Sequence, residues 1–203
     1  DASEVRRISG SVNSGLPWLD AFRIVAVNVT SVVTTTGFAL GDYSLWGHFS
    51  IMLFFYLGFI GGCSGSTAGG IKIFRFQVAY TLLRASLYQL IHPRAVIRQS
   101  YNGHRLDEEI VRSILTFSFF FGATVGGLAL GLSFLGLDWM TSLTGAASTV
   151  AGVGPGMGPI IGPSGNFASL PDAAKWLLCG GMLLGRLEII TVLVLFTPAF
   201  WRH

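Results

Sequence analysis

Charge is scarce in this sequence of 203 residues: Lys, Arg, Asp and Glu together make up 11% of it, whereas a soluble domain usually carries about 25%. Hydrophobic residues make up 51% of the chain, and its mean hydropathy is +0.62. This composition predicts an integral membrane protein. The 27 glycines fit that class, because small residues let membrane helices approach closely. The formal net charge of +3 gives no indication of a nucleic-acid partner.

Cysteine is also scarce. Cys63 and Cys179 stand alone, without a CxxC pair or a histidine at metal-ligand spacing. A disulfide framework and a zinc site are therefore not expected. We predict that both thiols are buried and unreactive, as free cysteines usually are.

The four histidines fall near the ends of predicted spans or in loops, which argues against enzymatic catalysis. The tetrad Gly-Cys-Ser-Gly at 62–65 resembles that of intramembrane serine proteases, but those need a histidine base at membrane depth. The run 65–72 resembles a phosphate-binding loop, but Ile71 separates Gly70 from Lys72. That motif also requires a preceding strand. We therefore predict that the chain is not an enzyme.

Few apolar runs in this sequence reach the length of about 20 residues that a membrane-spanning helix needs. We predict three spans: 45–91, broken by a glycine-rich segment at 61–70; 110–137, uninterrupted; and 173–200. Four regions follow, listed here in chain order: an extramembrane lead-in at 1–17, a pore loop with a broken inner helix at 18–91, a cytoplasmic linker at 92–109, and a helix, pore loop and helix at 110–203.

Basic residues are concentrated in the segment 71–112. By the positive-inside rule this segment faces the cytoplasm, and the pore loops lie toward the outer side.

An internal repeat dominates what is present. VVTTTGF at 32–38 has an echo in TVAGVGPG at 149–156, and each follows a short apolar segment that begins with an Asp beside a Trp. The segments 19–34 and 138–151 are predicted half-helices, and Asp20 is expected to cap the first. Irregular backbone after a half-helix is tolerated at membrane depth only when it is buried or lines a watery cavity.

The two glycine-bearing loops are candidate strands of an ion filter, which needs closely spaced carbonyl oxygens to replace a hydration shell. Glycine permits the dihedral angles that such a strand requires. One copy alone could equally be a glycine-rich turn without ions, but its repetition favours a filter. The candidate residues are Thr34, Thr35, Thr36 and Gly37, with Ala151, Gly152, Val153 and Gly154.

Arg186 is the second unusual feature, because it lies near the middle of the predicted span 173–200. A charge there costs about 2.5–3.5 kcal/mol on insertion scales. Glu188 faces a different side of the helix and cannot neutralise it. The freed carbonyls of the broken segment 62–70 are the predicted partner of Arg186, and a purely structural arginine is the alternative. Glu188 has no specific predicted partner.

The motifs VVTTTGF (32–38), GGCSGSTAGGIKIFR (61–75), GVGPGMG (152–158) and GRLEI (185–189) resemble those of the Trk/Ktr/HKT-type potassium transporter membrane subunits, in particular the TrkH branch. The resemblance covers the C-terminal half of such a subunit. It implies an all-α integral membrane protein with helix–pore-loop–helix repeats, of which about one and a half of four are present. The chain is therefore expected to be a fragment, since the first two repeats and one helix of the third are absent.

The resemblance implies potassium uptake across the bacterial inner membrane. Backbone carbonyls of the filter residues would hold K⁺, with Gly37 and Gly154 as the key glycines, and no other cofactor is expected. It further implies gating by an intramembrane loop and by a basic residue on the last helix. The gating residues are Gly62, Ser64, Gly65, Ser66, Thr67, Gly69, Gly70 and Arg186.

The partners that the resemblance implies are the lipid bilayer, the missing N-terminal repeats, a second copy of the full-length protein and a cytosolic nucleotide-binding regulatory subunit. That subunit would dock on the side of 84–112, and the C-terminus would also be cytoplasmic. The alternative is a secondary transporter that binds a small solute at the broken helix. A non-conducting structural membrane subunit is a third hypothesis. The choice between K⁺ and Na⁺, the coupling ion and the gating ligand remain open.

Overall fold

The computed structural model describes residues 17–63, 65–92, 100–101, 104–105, 108–187, 191, 194, 200 and 201. These residues are mostly helical. The helices are α1 (Trp18–Val33), α2 (His48–Phe59), α3 (Ile73–Ile91), α4 (Glu108–Phe134), α5 (Trp139–Ala151) and α6 (Asp172–Arg186). A 3₁₀ turn covers Tyr43–Trp46, and four two-residue strands complete the list: β1 (Ile60–Gly61), β2 (Ile71–Lys72), β3 (Ser100–Tyr101) and β4 (His104–Arg105).

Helix α1 matches the first predicted half-helix, but it starts directly after Pro17 and its N-terminus has no side-chain cap. The prediction that Asp20 caps it is therefore wrong. Asp20 lies in the first turn, where its carboxylate contacts Arg23 at 3.4 Å on the exposed face. Its charge still suits the positive end of the helix dipole.

The exit from α1 is fixed by Asn28, which is fully buried. Its side-chain amide donates to the Leu40 carbonyl at 2.9 Å, and its oxygen accepts from the Leu40 N–H at 2.8 Å. This pair of hydrogen bonds folds the chain after α1 back along the helix. The intervening residues 34–37 are thereby held at the C-terminal end of α1.

The predicted break in the span 45–91 is confirmed, since α2 and α3 are separate helices. Between them β1 and β2 pair in parallel, with Ile60 opposite Ile71 and Gly61 opposite Lys72. The segment 62–70, called here the intramembrane loop, therefore begins and ends at neighbouring positions, where β1 and β2 pair.

Helix α4 is the long uninterrupted helix that was predicted, and it is the one helix among the described residues that is long and apolar enough to cross a membrane. Asp138 caps the next helix, α5, by accepting from the Thr141 N–H at 3.0 Å. Helix α6 begins the predicted last span, and most of the chain beyond Leu187 lies outside the described residues.

The core surrounds α5. Ten of its 13 residues are buried, because α2, α4 and α6 all contact it. The larger buried side chains of this core are Phe117, Phe121, Val125, Leu132, Val150, Ile161, Leu170 and Leu178. Helix α1 has its main helical neighbour in α2, and several large apolar side chains on these two helices are exposed. They include Trp18, Phe22, Phe49 and Tyr56.

Both cysteines are exposed, so the prediction of buried thiols is wrong. Cys63 lies in the intramembrane loop rather than inside a helix. Cys179 follows the buried Leu178, and one residue along a helix rotates the side chain by about 100°. Cys179 therefore faces outward although its sequence neighbours are apolar.

In the linker, β3 and β4 pair antiparallel, with Tyr101 opposite His104. The two residues between these strands, 102 and 103, lie outside the described set.

Candidate ion-conducting site

The two predicted filter segments, 34–37 and 151–154, share a hydrogen-bonding pattern. The Thr36 N–H donates to the Ser31 carbonyl at 2.8 Å, and the Val153 N–H donates to the Ser148 carbonyl at 3.0 Å. Each bond reaches five residues back into the preceding half-helix. The backbone N–H groups are thus turned toward the helices.

The dihedral angles repeat in the same way. Thr35 and Gly152 have positive φ values of 54° and 71°, and two residues later Gly37 and Gly154 have φ values of 82° and 107°. Among the described residues, none of the eight filter carbonyl oxygens accepts a hydrogen bond. Carbonyl groups without a protein donor are the ligands that an ion filter needs.

The two filter segments also touch each other. A Cβ atom added at Gly37 would lie 2.4 Å from the Val153 carbonyl oxygen, which is closer than non-bonded atoms can approach. Position 37 therefore requires glycine for two reasons: its φ is positive, and the second segment approaches its backbone closely. The structure brings this pair of sequence-predicted residues together.

The intramembrane loop lies against both filter segments through Gly69. Its N–H donates to the Thr35 hydroxyl at 3.1 Å, and a Cβ atom added to it would lie 2.0 Å from the Ala151 carbonyl oxygen. Gly69 therefore sits at the junction of the first filter, the second filter and the loop.

Arg186 reaches the loop as predicted. Its guanidinium donates to the Thr67 carbonyl at 2.5 Å. Lys72, which the sequence argument had not singled out, donates from Nζ to the Ser66 carbonyl at 2.8 Å and also to the Ala68 carbonyl. Three consecutive carbonyls of the loop are thus bonded to cationic side chains.

Arg186 is positioned by the packing of α6 on α5. A Cβ atom added at Gly185 would lie 2.0 Å from the Val150 carbonyl oxygen, so the two backbones are in direct contact next to the arginine. Glycine at 185 allows this approach, in the manner of small residues in membrane helices.

A cavity of about 230 Å³ lies beside the loop. Its lining residues are Ser66, Thr67, Ala68, Gly69, Gly70, Lys72, Arg75, Phe117, Gly185 and Arg186. The Arg75 guanidinium lies 3.6 Å from the centre of the Phe117 ring, a cation–π contact. Three cationic side chains, Lys72, Arg75 and Arg186, therefore line this cavity.

Two predicted residues lie outside the described set: Ser64 of the loop and Glu188 after α6. Three contributions were missed from sequence: the Lys72 ammonium, the Thr35 hydroxyl and the Asn28 amide. The proximity of Lys72 to a glycine-rich break was a signal for the first, since a lysine at membrane depth needs partners. The other two depend on contacts between distant segments and left no local signal.

The profile of the family described as "TrkH: Cation transport protein" matches residues 15–203. The chain belongs to the TrkH family. It is 62% identical over 192 residues to a Trk system potassium uptake protein TrkI of Halomonas elongata, covering 95% of this chain and 39% of TrkI. It is 36% identical over 175 residues to a TrkH of Escherichia coli K12, covering 86% of this chain and 36% of that protein.

The crystal structure of the potassium transporter TrkH from Vibrio parahaemolyticus matches this TrkH-family fold with a TM-score of 0.85 and 35% identity. The match covers 93% of this chain and 40% of the Vibrio chain. The prediction of a helical membrane protein of this family is therefore confirmed. The chain spans about two fifths of the length of the relatives that it matches.

Proposed function

We propose that this chain supplies two of the filter segments of a potassium-conducting pore in a bacterial inner membrane, through which K⁺ enters the cell. The observation that carries the proposal is the repeated geometry of two adjoining segments, whose eight carbonyls have no hydrogen-bond donor among the described residues. The names of the relatives, which are potassium uptake proteins, support the choice of ion.

The filter would work by partial dehydration of the ion. Carbonyl oxygens of 34–37 and 151–154 replace part of the water shell of K⁺. The half-helices α1 and α5 end at these segments, and the C-terminal end of a helix carries a partial negative charge. Both helices therefore favour a cation near the filter.

Passage through the pore would be controlled by the intramembrane loop. The loop lies against Thr35 and Ala151 at the filter, and Arg186 bonds it from α6. In this proposal the loop obstructs the pathway while the Arg186 contact holds, and the pore conducts K⁺ when the contact is released. No covalent step and no cofactor besides the transported ion are involved.

The remaining filter segments would come from repeats outside this chain, because two segments cannot surround an ion. We further propose that a cytosolic nucleotide-binding subunit docks on the side of 84–112, where basic residues are concentrated, and that the full-length protein forms a homodimer. The linker 84–112 and the C-terminus would face the cytoplasm.

The filter assignment is tested in a TrkI chimera, in which this chain is joined to the part of Halomonas elongata TrkI that lies outside the matched region. The measurement is ⁸⁶Rb⁺ and ²²Na⁺ uptake by proteoliposomes that contain the chimera. Gly37→Ser should lower the preference for K⁺-like ions by about tenfold, a loss that corresponds to about 1.4 kcal/mol. The added side chain would meet the Val153 carbonyl and distort the ring of ligands.

Gly122→Ser is the control for this substitution, since nothing lies within 4 Å of a Cβ at that position of α4. The control should keep the ion preference of the parent chimera. An unchanged preference in Gly37→Ser, with the protein present in the vesicles, would show that 34–37 is not part of the filter.

The gating assignment is tested in the same vesicles with Arg186→Ala. Loss of the bond to Thr67 should raise Rb⁺ uptake, whereas Arg23→Ala should leave it unchanged, because Arg23 is exposed on α1 and contacts Asp20. If Arg186→Ala conducts no better than the parent, Arg186 does not restrain the loop.

A further inference from the structure

Lys72 has a distinctive place beside the intramembrane loop. It ends β2 and immediately precedes α3, with extended backbone angles φ −61° and ψ 142°. Its half-buried side chain turns back over the loop, where Nζ donates to the carbonyls of Ser66 and Ala68.

The carbonyl between these two is the one that Arg186 occupies, on Thr67. Lys72 and Arg186 therefore divide three consecutive carbonyls between them. An ammonium group has three donors and no acceptor, and hydrogen bonds from a cationic donor are stronger than neutral ones. The loop is held by two charged groups rather than one.

The two cations come from different parts of the fold. Arg186 belongs to α6, so its contact depends on where α6 lies relative to the loop. Lys72 is fixed to the loop's own base by the pairing of β2 with β1. A displacement of α6 that withdraws Arg186 would consequently leave the Lys72 bonds in place.

We propose that Lys72 is a second latch of the intramembrane loop, which must release Ser66 and Ala68 before the pore conducts. The proposal rests on the proposed function of this loop as the gate. Lys72 is a positioning residue in this scheme, because it acts on the ion path through the loop. The neighbouring Arg75 lies over the Phe117 ring and is not assigned a share in the latch.

The test uses the TrkI chimera in proteoliposomes and Rb⁺ uptake as the readout. Lys72→Met keeps the length of the side chain and removes its donors. We expect uptake to rise about tenfold, while the Rb⁺/Na⁺ preference stays that of the parent because the filter is intact. Lys72→Arg retains donors and should restore uptake close to that of the parent.

Lys175→Met is the matched control, because Lys175 lies on α6 and pairs with Asp172 at 3.1 Å, away from the loop. Its uptake should equal that of the parent. The double variant with Lys72→Met and Arg186→Ala should take up Rb⁺ faster than either single variant, because each substitution removes a different contact to the loop.

Four outcomes overturn the second latch: uptake by Lys72→Met no higher than that of the parent, an altered Rb⁺/Na⁺ preference, a failure of Lys72→Arg to restore low uptake, or a double variant no faster than Arg186→Ala. A variant that does not insert is replaced by Lys72→Gln, for which the same expectations hold. If the parent chimera itself carries no Rb⁺, the proposed function fails and the latch fails with it. Uptake by the parent without a rise in Lys72→Met removes the latch alone.

Discussion

Thr35 shows at the residue scale how the candidate filter segment 34–37 and the loop are joined. It is the one non-glycine residue with positive φ among the described residues, at 54°. A residue held in that region costs about 1–3 kcal/mol and persists only where its surroundings require it. The surroundings here include the Gly69 N–H, which the Thr35 hydroxyl accepts. Replacement by glycine would relieve the backbone but remove this link to the loop.

The two aspartates at the starts of the half-helices differ in whether they cap the helix. Asp138 precedes α5, in the connection from α4, and it accepts from the Thr141 N–H. Hydrogen bonding by Thr141, whose backbone N–H lies 3.0 Å from the carboxylate, lowers the pKa of Asp138 below its ordinary value. Asp20 has no capping bond and lies on the exposed face of α1.

We predict that Asp138→Ala lowers the free energy of unfolding of the TrkI chimera by about 1 kcal/mol at pH 7, the usual contribution of a cap. Because the pKa is lowered in the folded state, this contribution is complete above the ordinary Asp pKa of about 3.9. It is lost as the pH falls through the lowered pKa. Thermal unfolding in detergent at pH 7 and at strongly acidic pH measures both.

Asp20→Ala provides the comparison, and its effect at pH 7 should be smaller than that of Asp138→Ala. Equal losses in the two variants, or a loss in Asp138→Ala that persists in acid, would contradict the capping role of Asp138.

These residues mark the limit of what the sequence could predict about the site. The candidate filter positions and Arg186 could be singled out because each breaks a local rule, a glycine cluster in one case and a charge at membrane depth in the other. Asp20 and Asp138 have similar local contexts, yet only Asp138 caps, because α1 already begins at Trp18, two residues before Asp20. The roles of Lys72 and Thr35 depend on where the loop folds, which no local pattern encodes.

At the scale of elements, the contact between α5 and α6 decides where Arg186 lies. The Gly185 backbone touches the Val150 carbonyl directly, and Gly181 is buried on the same helix. The half-helix α5 ends in the second candidate filter segment. It also packs directly against α6, the helix that holds Arg186.

We predict that Gly185→Ala moves α6 away from α5, since its new Cβ would otherwise lie 2.0 Å from the Val150 carbonyl oxygen. Overpacking of this kind costs about 1–3 kcal/mol. The displacement should withdraw Arg186 from Thr67 and raise Rb⁺ uptake toward the level of Arg186→Ala. Uptake and thermal unfolding of the same preparation measure the two effects.

Gly180→Ala is the matched control on α6, because nothing lies within 4 Å of its Cβ position. It should change neither measurement. If Gly185→Ala also leaves uptake unchanged, close packing at Gly185 does not set the position of Arg186.

The helices themselves were largely predictable. A long apolar run gave α4, and a cluster of glycines between two shorter apolar runs gave the break between α2 and α3. The parallel pairing of β1 with β2 was not predictable, because two residues on each side are too few to show an alternating pattern. The fixed base of the intramembrane loop was therefore a finding of the structure.

For the molecule as a whole, the proposed function makes this chain one part of a ring of filter segments. It covers 39% of TrkI, and large apolar side chains on α1 and α2, such as Trp18 and Phe49, are exposed. At membrane depth such side chains contact either lipid or other helices. The repeats outside this chain would cover part of this face in the complete pore.

We predict that this chain alone does not restore growth of a potassium-uptake-deficient bacterium at low K⁺, because two filter segments leave the ion without ligands on its other side. Co-expression with the remaining part of TrkI should restore growth. Growth rates at graded external K⁺, with insertion of both pieces checked in membrane fractions, measure this.

Two results would contradict the prediction. Growth with this chain alone would indicate that copies assemble into a complete ring. Failure of the two pieces together to restore growth, when both are inserted, would argue against a shared pore. It would favour the alternative of a secondary transporter for a small solute.

The paired ends of the intramembrane loop have a mechanical consequence. Since β1 and β2 hold Ile60 beside Ile71 and Gly61 beside Lys72, the loop can swing while its two attachment points stay together. Neighbouring strands lie about 4.8 Å apart, so α2 and α3 need not tilt or separate when the loop moves. Movement of the loop alone would then leave the area that the protein occupies in the bilayer unchanged. If the loop is the proposed gate and moves by itself, its opening does no work against lateral tension, and stretching the membrane should neither open nor close the pore.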